Sequence, residues 1–312
     1  MNFRRAMLPV VLSLLICGLS VLSSHAAGQV VTQDARDWAK MAIAGEKTLA
    51  VSPADNTMVI LYFLNKTGRS DLNSLEKGMT LMLLTDLSQV PELELIERIK
   101  LQALTDELKL GSSGLVDQQA APRIGRLVGA RWITGGDFVG GKQERFDTQS
   151  RLLDVSSSVV AGQFSVAGTL EDILKTEKDL VFNILEQLKI SLKPEVAAEI
   201  RKPCSKNLKA LDALFRGVDA SDRGEYQQAG ELYNEALKAD PDVCVAAAAL
   251  QELVQTRRYS PPKTFSSKSA LEETALSVSS QISLTNHYVI KNVTKNVDQR
   301  TTTPVTIRVN FP

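Results

Sequence analysis

Histidines, cysteines and paired carboxylates are the residues from which bond-making chemistry would have to be built here. The chain has two histidines and three cysteines in 312 residues. His25 falls in an amino-terminal segment read below as removable, so His287 is the single imidazole of the mature chain. That removes most Ser-His-Asp, Cys-His and zinc arrangements, which need an imidazole beside a nucleophile or several ligands around one ion. His287 lies in a strand-like stretch and reads as structural. Adjacent acids such as Glu171 and Asp172 sit on an exposed helix face, where solvated charge is the default. Gly140–Lys142, "GGK", lacks the rest of a phosphate loop and reads as a turn. Asn65–Asp71, "NKTGRSD", is a polar loop before a helix amino end. It could hold an anion there or simply serve as a loop plus cap. "NKT" and "NVT" match glycosylation acceptors but carry no meaning behind a bacterial-type export signal. No catalytic, cofactor-binding or metal-ligating residue is therefore assigned, no cofactor is expected, and the chain reads as a non-enzyme. A hydrolase working through carboxylates is the remaining enzymatic alternative.

Bulk composition narrows the partners. Net charge is zero, so no basic field points to nucleic acid. Aromatic residues are 5%, too few for a stacking platform for bases or sugars. The 44% hydrophobic and 23% charged content is that of an ordinary globular protein.

The amino terminus reads as a signal peptide over residues 1–26. Arg4 and Arg5 precede an apolar run from Ala6 to Leu22, and "SSHAAG" places Ser24 and Ala26 before a cut near Ala27. The apolar core is short for a membrane span. Ile16 stands before Cys17, where a lipidated chain needs a small residue. The expected location is the periplasm, with peripheral association with the outer membrane as an extension. Cys204 and Cys244 then lie in an oxidising compartment. A disulfide between them is the preferred reading, and two separate buried thiols are the alternative.

The elements follow from periodicity. Residues 27–56 are weakly patterned, with a short helix near Ala35–Ala44. Met58–Phe63, "MVILYF", is a continuous apolar run that predicts a strand covered on both faces. Ser70 or Asp71 is placed to cap the next helix. Leu72, Leu75, Met79, Met82, Leu83 and Leu87 form one apolar stripe, and Pro91 stops it. Leu93–Arg98 predicts a second strand, and Ile99–Leu108 a helix. Asp117 is placed to cap a helix over Gln118–Val128, which Gly129 ends. A strand through "ARWITGGDFV" enters a turn at Gly140-Gly141. Strands over Arg145–Val155 and Val159–Ala167 follow, then an amphipathic helix from Leu170 to Leu188. The fold class is α/β (α+β, mixed sheet) in the order β-α-β-α-α-β-β-β-α over residues 57–190, parallel early and antiparallel late.

Those residues resemble a known family. "VILYFLNKTGRSDLNSLEKGM", the "IER" strand end and "IGRLVGARWITGGDF" are similar to the curli-secretion-channel (CsgG-like) family. In its broad sense that family includes FlgO-like flagellar outer-membrane, TolB amino-terminal-like and penicillin-binding-protein-activator relatives. The resemblance implies a CsgG-like α/β domain at residues 57–190 and a non-enzymatic envelope assembly or scaffold role. Partners would be envelope proteins or a second copy in a homo-oligomer. Its other implications are a subunit of a curli-type outer-membrane secretion channel and an activator of a cell-wall synthase. Channel-forming members are lipoproteins that insert two long membrane hairpins, whereas the hairpins expected here are short.

Residues 204–258 resemble one tetratricopeptide repeat plus a capping helix. The matching positions are Gly217, Gly224, Tyr226, Ala229, Tyr233, Ala236 and Pro241. Gly217 and Ala229 are small where two antiparallel helices touch, Gly224 turns the chain, the tyrosines and Ala236 fill the seam, and Pro241 ends the second helix. Such repeats normally stack in arrays. A single copy must therefore bury its apolar face on the α/β domain, the cap helix or another subunit. It either binds a partner or completes the fold. Residues 259–312 read as a Pro/Ser linker and a short β tail. Val305, Ile307, Val309 and Phe311 alternate with polar residues, and the tail pairs with the main sheet or with another chain.

Overall fold

The computed structural model describes residues 29–48, 54–110, 120–140 and 145–261. The leader, Cys17, Asp117, Gly141, His287 and the β tail lie outside the described residues. No described helix is long and apolar enough to cross a membrane.

Helix α1 (Gln33–Ala44) begins at Thr32, whose Oγ1 accepts from the Ala35 N–H at 3.2 Å. Strands β1 (Thr57–Ile60) and β2 (Leu64–Lys66) follow. Next come α2 (Leu75–Leu87), β3 (Glu94–Leu95), α3 (Arg98–Glu107) and α4 (Ala120–Val128). Then β4 (Trp132–Gly140), β5 (Phe146–Asp154) and β6 (Val159–Gly168) lead to α5 (Ile173–Gln187). Four further helices complete the described chain: α6 (Pro194–Ile200), α7 (Leu208–Asp222), α8 (Tyr226–Ala239) and α9 (Ala246–Gln255).

The sheet is mixed, in the order β3-β1-β4-β5-β6, with β2 also on β4. β1 pairs parallel with β3 and β4, while β4–β5 and β5–β6 are antiparallel. The apolar run Met58–Phe63 does not stay in one ladder. Phe63 N–H instead donates to Glu76 O at 3.1 Å, and the strand resumes at Leu64 against Asp137. All six residues of the run are at most 3% exposed. Met58, Ile60 and Phe63 face one core, while Val59, Leu61 and Tyr62 face the other.

The structure corrects three boundary expectations. Ser70 and Asp71 belong to a short 3₁₀ turn, and α2 starts after Ser74, with no side-chain cap. The strand expected over Leu93–Arg98 shrinks to Glu94–Leu95, because Arg98 opens α3 and turns its guanidinium inward. Helix α2 is not amphipathic in the expected sense. Leu81 and Leu84 are also buried, so it is apolar nearly all round. It lies between the sheet, α5 and α7.

Candidate functional site

Of the residues singled out in the repeat-like unit, Gly217, Ala229, Tyr233 and Ala236 are buried, while Gly224 and Pro241 are exposed. α7 and α8 form an antiparallel hairpin turned at Gly224, whose φ of +77° is open to glycine at little cost. A Cβ on Gly217 would stand 2.5 Å from the Tyr233 ring, so only glycine permits that approach. Ala229, Tyr233 and Ala236 are fully buried. Tyr226 lies half-buried beneath the Arg258 guanidinium, 4.4 Å from its ring centre. Pro241 is exposed just beyond the end of α8. Gly230 and Tyr259 add a contact that the sequence did not signal, since a Cβ there would meet the ring at 2.3 Å. Tyr259, assigned to the linker from sequence, is thus packed against the helical unit.

Cys204 and Cys244 form a disulfide with Cα atoms 4.9 Å apart, and Cys244 N–H donates to Cys204 O at 2.9 Å. Asn207 starts α7: its Oδ1 accepts from Lys209 N–H at 3.0 Å, and its Nδ2 donates to Ala239 O at 2.8 Å. One staple therefore ties the entry to α7 to the entry to α9.

The apolar face of the hairpin is covered by the α/β domain. Phe215 of α7 sits over Gly78 of α2, where a Cβ would come within 2.4 Å of the ring. Leu211, Leu214, Phe215 and Tyr233 share one continuous core with Met79, Met82 and Phe63. Around this seam runs a buried ionic network. Arg98 donates through Nη1 to both Asp222 oxygens at 3.0 and 2.8 Å and to the Tyr62 hydroxyl at 3.2 Å. Its Nε donates to Gln29 Oε1 at 2.9 Å. Lys77 Nζ reaches Asp222 and Asp219, each at 2.9 Å. The side chains of Arg98 and Asp222 are 3% and 1% exposed. Burial disfavours the Arg98 charge, but Asp222 and the Tyr62 hydroxyl more than offset this and hold the guanidinium protonated. Burial likewise pushes the Tyr62 phenol above its ordinary range. No sequence motif marks this network; its members come from five separated segments.

A second buried cluster joins α2 to α5. Lys178 Nζ pairs with Asp86 and lies 3.1 Å from Glu177 Oε2. Burial first, and the Asp86 charge second, push the Glu177 carboxyl well above the usual carboxylate range. These groups face one another between packed helices rather than an open cleft. Among the described residues no group of three or more His, Cys, Asp and Glu could hold a metal ion.

The Asn65–Asp71 loop does not make an anion site. Asn65 braces it, donating to Arg69 O at 2.6 Å and Asn73 Oδ1 at 2.7 Å. The groove beside it is lined by Asp71, Glu76, Asp212 and Asp219 against Lys77 and Arg216. Those acids repel an anion, and Lys77 is committed to the seam. Glu171 and Asp172 are exposed, as expected, but lie in the turn before α5 rather than on a helix face, and Asp172 accepts from Thr169 N–H at 3.1 Å.

Among the described residues a further recess is open. Helices α1, α3 and α4 cover only the β3-β1-β4 side of one sheet face. Beyond them, Asp137, Gln149 and Arg151 share that face through the pairings Asp137↔Gln149 and Gly135↔Arg151. Together with Leu61, Pro122, Ile133, Leu153 and Val160 they line a cavity of 260 Å³. Asp137 is paired at 2.6 Å with Lys66, and its side chain is 6% exposed. Its other oxygen, Oδ1, is buried and has no hydrogen-bond partner among the described residues. No motif in the sequence marks this recess. Its only trace was the irregular alternation of "WITGGDFVG", where two glycines interrupt the strand pattern.

Residues 44–143 match the family model described as curli production assembly/transport component CsgG. Over that span the chain is similar to the CsgG family. The matched span runs from the end of α1 through β4 and stops short of β5, β6 and α5, all of which the sequence resemblance had included. Several solved structures are similar. The LpoB C-terminal domain from Salmonella enterica is 22% identical over 43% of this chain and 98% of its own, with a TM-score of 0.32. Lipoprotein GNA1162 from Neisseria meningitidis is 14% identical over 44% and 99%, with a TM-score of 0.32. TolB from Acinetobacter baumannii is 16% identical over 45% and 30%, with a TM-score of 0.28. At these scores they add nothing to the strand order already described. No curated protein matches the chain. The matched span supplies β1 to β4, α2 and the Arg98 side of the seam, while the helical unit supplies Asp222 and the second cover of α2.

Proposed function

We propose that this chain is an exported, non-enzymatic component of the bacterial cell envelope, an assembly or scaffold protein working through protein–protein contacts in the periplasm or at the outer membrane. The observation that carries this reading is the CsgG-like match over residues 44–143. The amino-terminal signal pattern supports export. The domain division is a leader (1–26), the α/β domain (57–190), a single tetratricopeptide-like unit (204–258) and a linker with a β tail (259–312). On this reading the repeat residues Gly217, Gly224, Tyr226, Ala229, Tyr233, Ala236 and Pro241 complete the fold, because their apolar face is spent on α2 and α9. Partner binding then falls to the rest of the surface. Crosslinking in intact cells, followed by affinity purification of the full chain from envelope fractions, tests this. Reproducible recovery of defined envelope proteins is expected, and repeated recovery of this chain alone overturns it. A channel subunit of the curli type is the second reading, favoured by the name of the matched family. Native mass and electron microscopy decide it: a membrane-inserted ring supports it, and a soluble monomer ends it.

A further inference from the structure

We infer that the recess on the open sheet face is a peptide-binding site that takes an apolar side chain flanked by a carboxylate, presented by an acidic segment of a partner protein. The inference rests on the protein-interaction reading above and assigns it a place. At 260 Å³ the recess is below the roughly 300–1,000 Å³ of small-molecule sites and has room for one or two side chains. Its walls divide by chemistry. Leu61, Pro122, Ile133, Leu153 and Val160 form the apolar end, while Asp137, Gln149 and Arg151 form the polar end.

Each polar group makes a separate demand. The Asp137 Oδ1 atom is buried and has no partner among the described residues, which is costly unless a bound group donates to it. A peptide N–H is such a donor. Arg151 lines the same recess, and among the described residues it has no acidic partner, unlike Arg98, Arg123 and Arg131. Because Lys66 already neutralises Asp137, the recess keeps one net positive charge, and a carboxylate is its complement. Val160, paired with Leu153 on this face, is 40% exposed and forms an apolar rim at the start of the end strand β6. The chain's own tail fits poorly: from residue 262 onward it carries Lys263, Lys268, Lys291, Lys295, Arg300 and Arg308 against Glu272, Glu273 and Asp298. A basic tail is repelled by Arg151.

The test is selection of random-sequence peptides of strand length on the folded full chain, the Arg151→Glu variant and a Lys209→Glu control. Arg151 is without a described partner, so its replacement leaves the fold intact, which the thermal melt verifies. Wild type and the control should enrich peptides pairing an apolar residue with Asp or Glu. Arg151→Glu should lose that enrichment and select Lys or Arg instead. Binding of the wild-type consensus peptide to it should weaken about tenfold or more. No consensus, or the same consensus on Arg151→Glu, overturns the site. Crosslinking separates this from the broader reading. Envelope partners captured equally by wild type and Arg151→Glu sink the recess but leave an interaction role standing. Peptide selection that succeeds while no envelope protein is captured sinks the envelope role and leaves the recess.

Discussion

Arg98 and Asp222 show how single side chains bind the two parts of this chain. Both are buried and paired at 2.8 Å, and Asp222 also holds Lys77 at 2.9 Å. Replacing Asp222 with Asn leaves a buried guanidinium without its counter-charge, a loss of about 3–5 kcal/mol in the general case. Equilibrium urea unfolding should show a midpoint lowered accordingly; a change within experimental scatter would mean that water reaches Arg98. Glu177 acts in the opposite sense. Its folded-state proton affinity is raised above the ordinary value of 4.5, by burial first and Asp86 second. Its contribution is therefore complete below pH 4.5 and is lost as pH rises through the raised value. Glu177→Gln keeps the shape and removes the titration. Stability measured from pH 4.5 to neutrality should fall less steeply in the variant than in wild type. Parallel curves would show that Glu177 does not titrate there. None of these roles was legible in the sequence, because Arg98 ended a strand-like run and Glu177 sat on an ordinary helix. Only the segments packed against them give them meaning.

At the scale of elements, α2 is the keystone. Its leucines and methionines at helical spacing were plain in the sequence, and so was its end before Pro91. The sequence did not show that its second face is also covered. Gly78 is the contact point, seated against Phe215 of α7. Gly78→Ala forces the buried ring to move, an overpacking cost of about 1–3 kcal/mol. The variant should melt earlier than wild type although alanine favours helices more than glycine. An unchanged or raised melting point would show that Phe215 relaxes freely. The strand Met58–Phe63 was equally readable as buried on both faces. Its break at Leu61–Phe63 was not, because it follows from the fit of β2 alongside β4 and the Glu76 carbonyl. The recess belongs to this scale too, since it exists because three helices cover only part of one sheet face.

The whole molecule behaves as one cooperative body on this account, since the main core runs from Phe63 through Met82 to Phe215 and Tyr233. Trp38 and Trp132 lie in the α/β part, while α7, α8 and α9 contribute much of the helical signal. Tryptophan fluorescence and far-ultraviolet circular dichroism should therefore unfold with coincident midpoints. Two separated transitions would show that the helical unit is an independent domain. The Cys204–Cys244 bridge closes a span of 40 residues. Its loss contributes about 4 kcal/mol on the chain-entropy model. The Cys204→Ser, Cys244→Ser double variant should lower both midpoints together. By itself the sequence determined the secondary-structure periods, the mixed sheet, the CsgG-like resemblance and the small residues between α7 and α8, because these depend on local spacing along the chain. Tertiary structure alone decided where the apolar face of the α7–α8 hairpin is buried, which charges meet at Arg98, and which part of the sheet the described helices leave open. Those depend on residues far apart in sequence, whose meeting is fixed by packing and not by period.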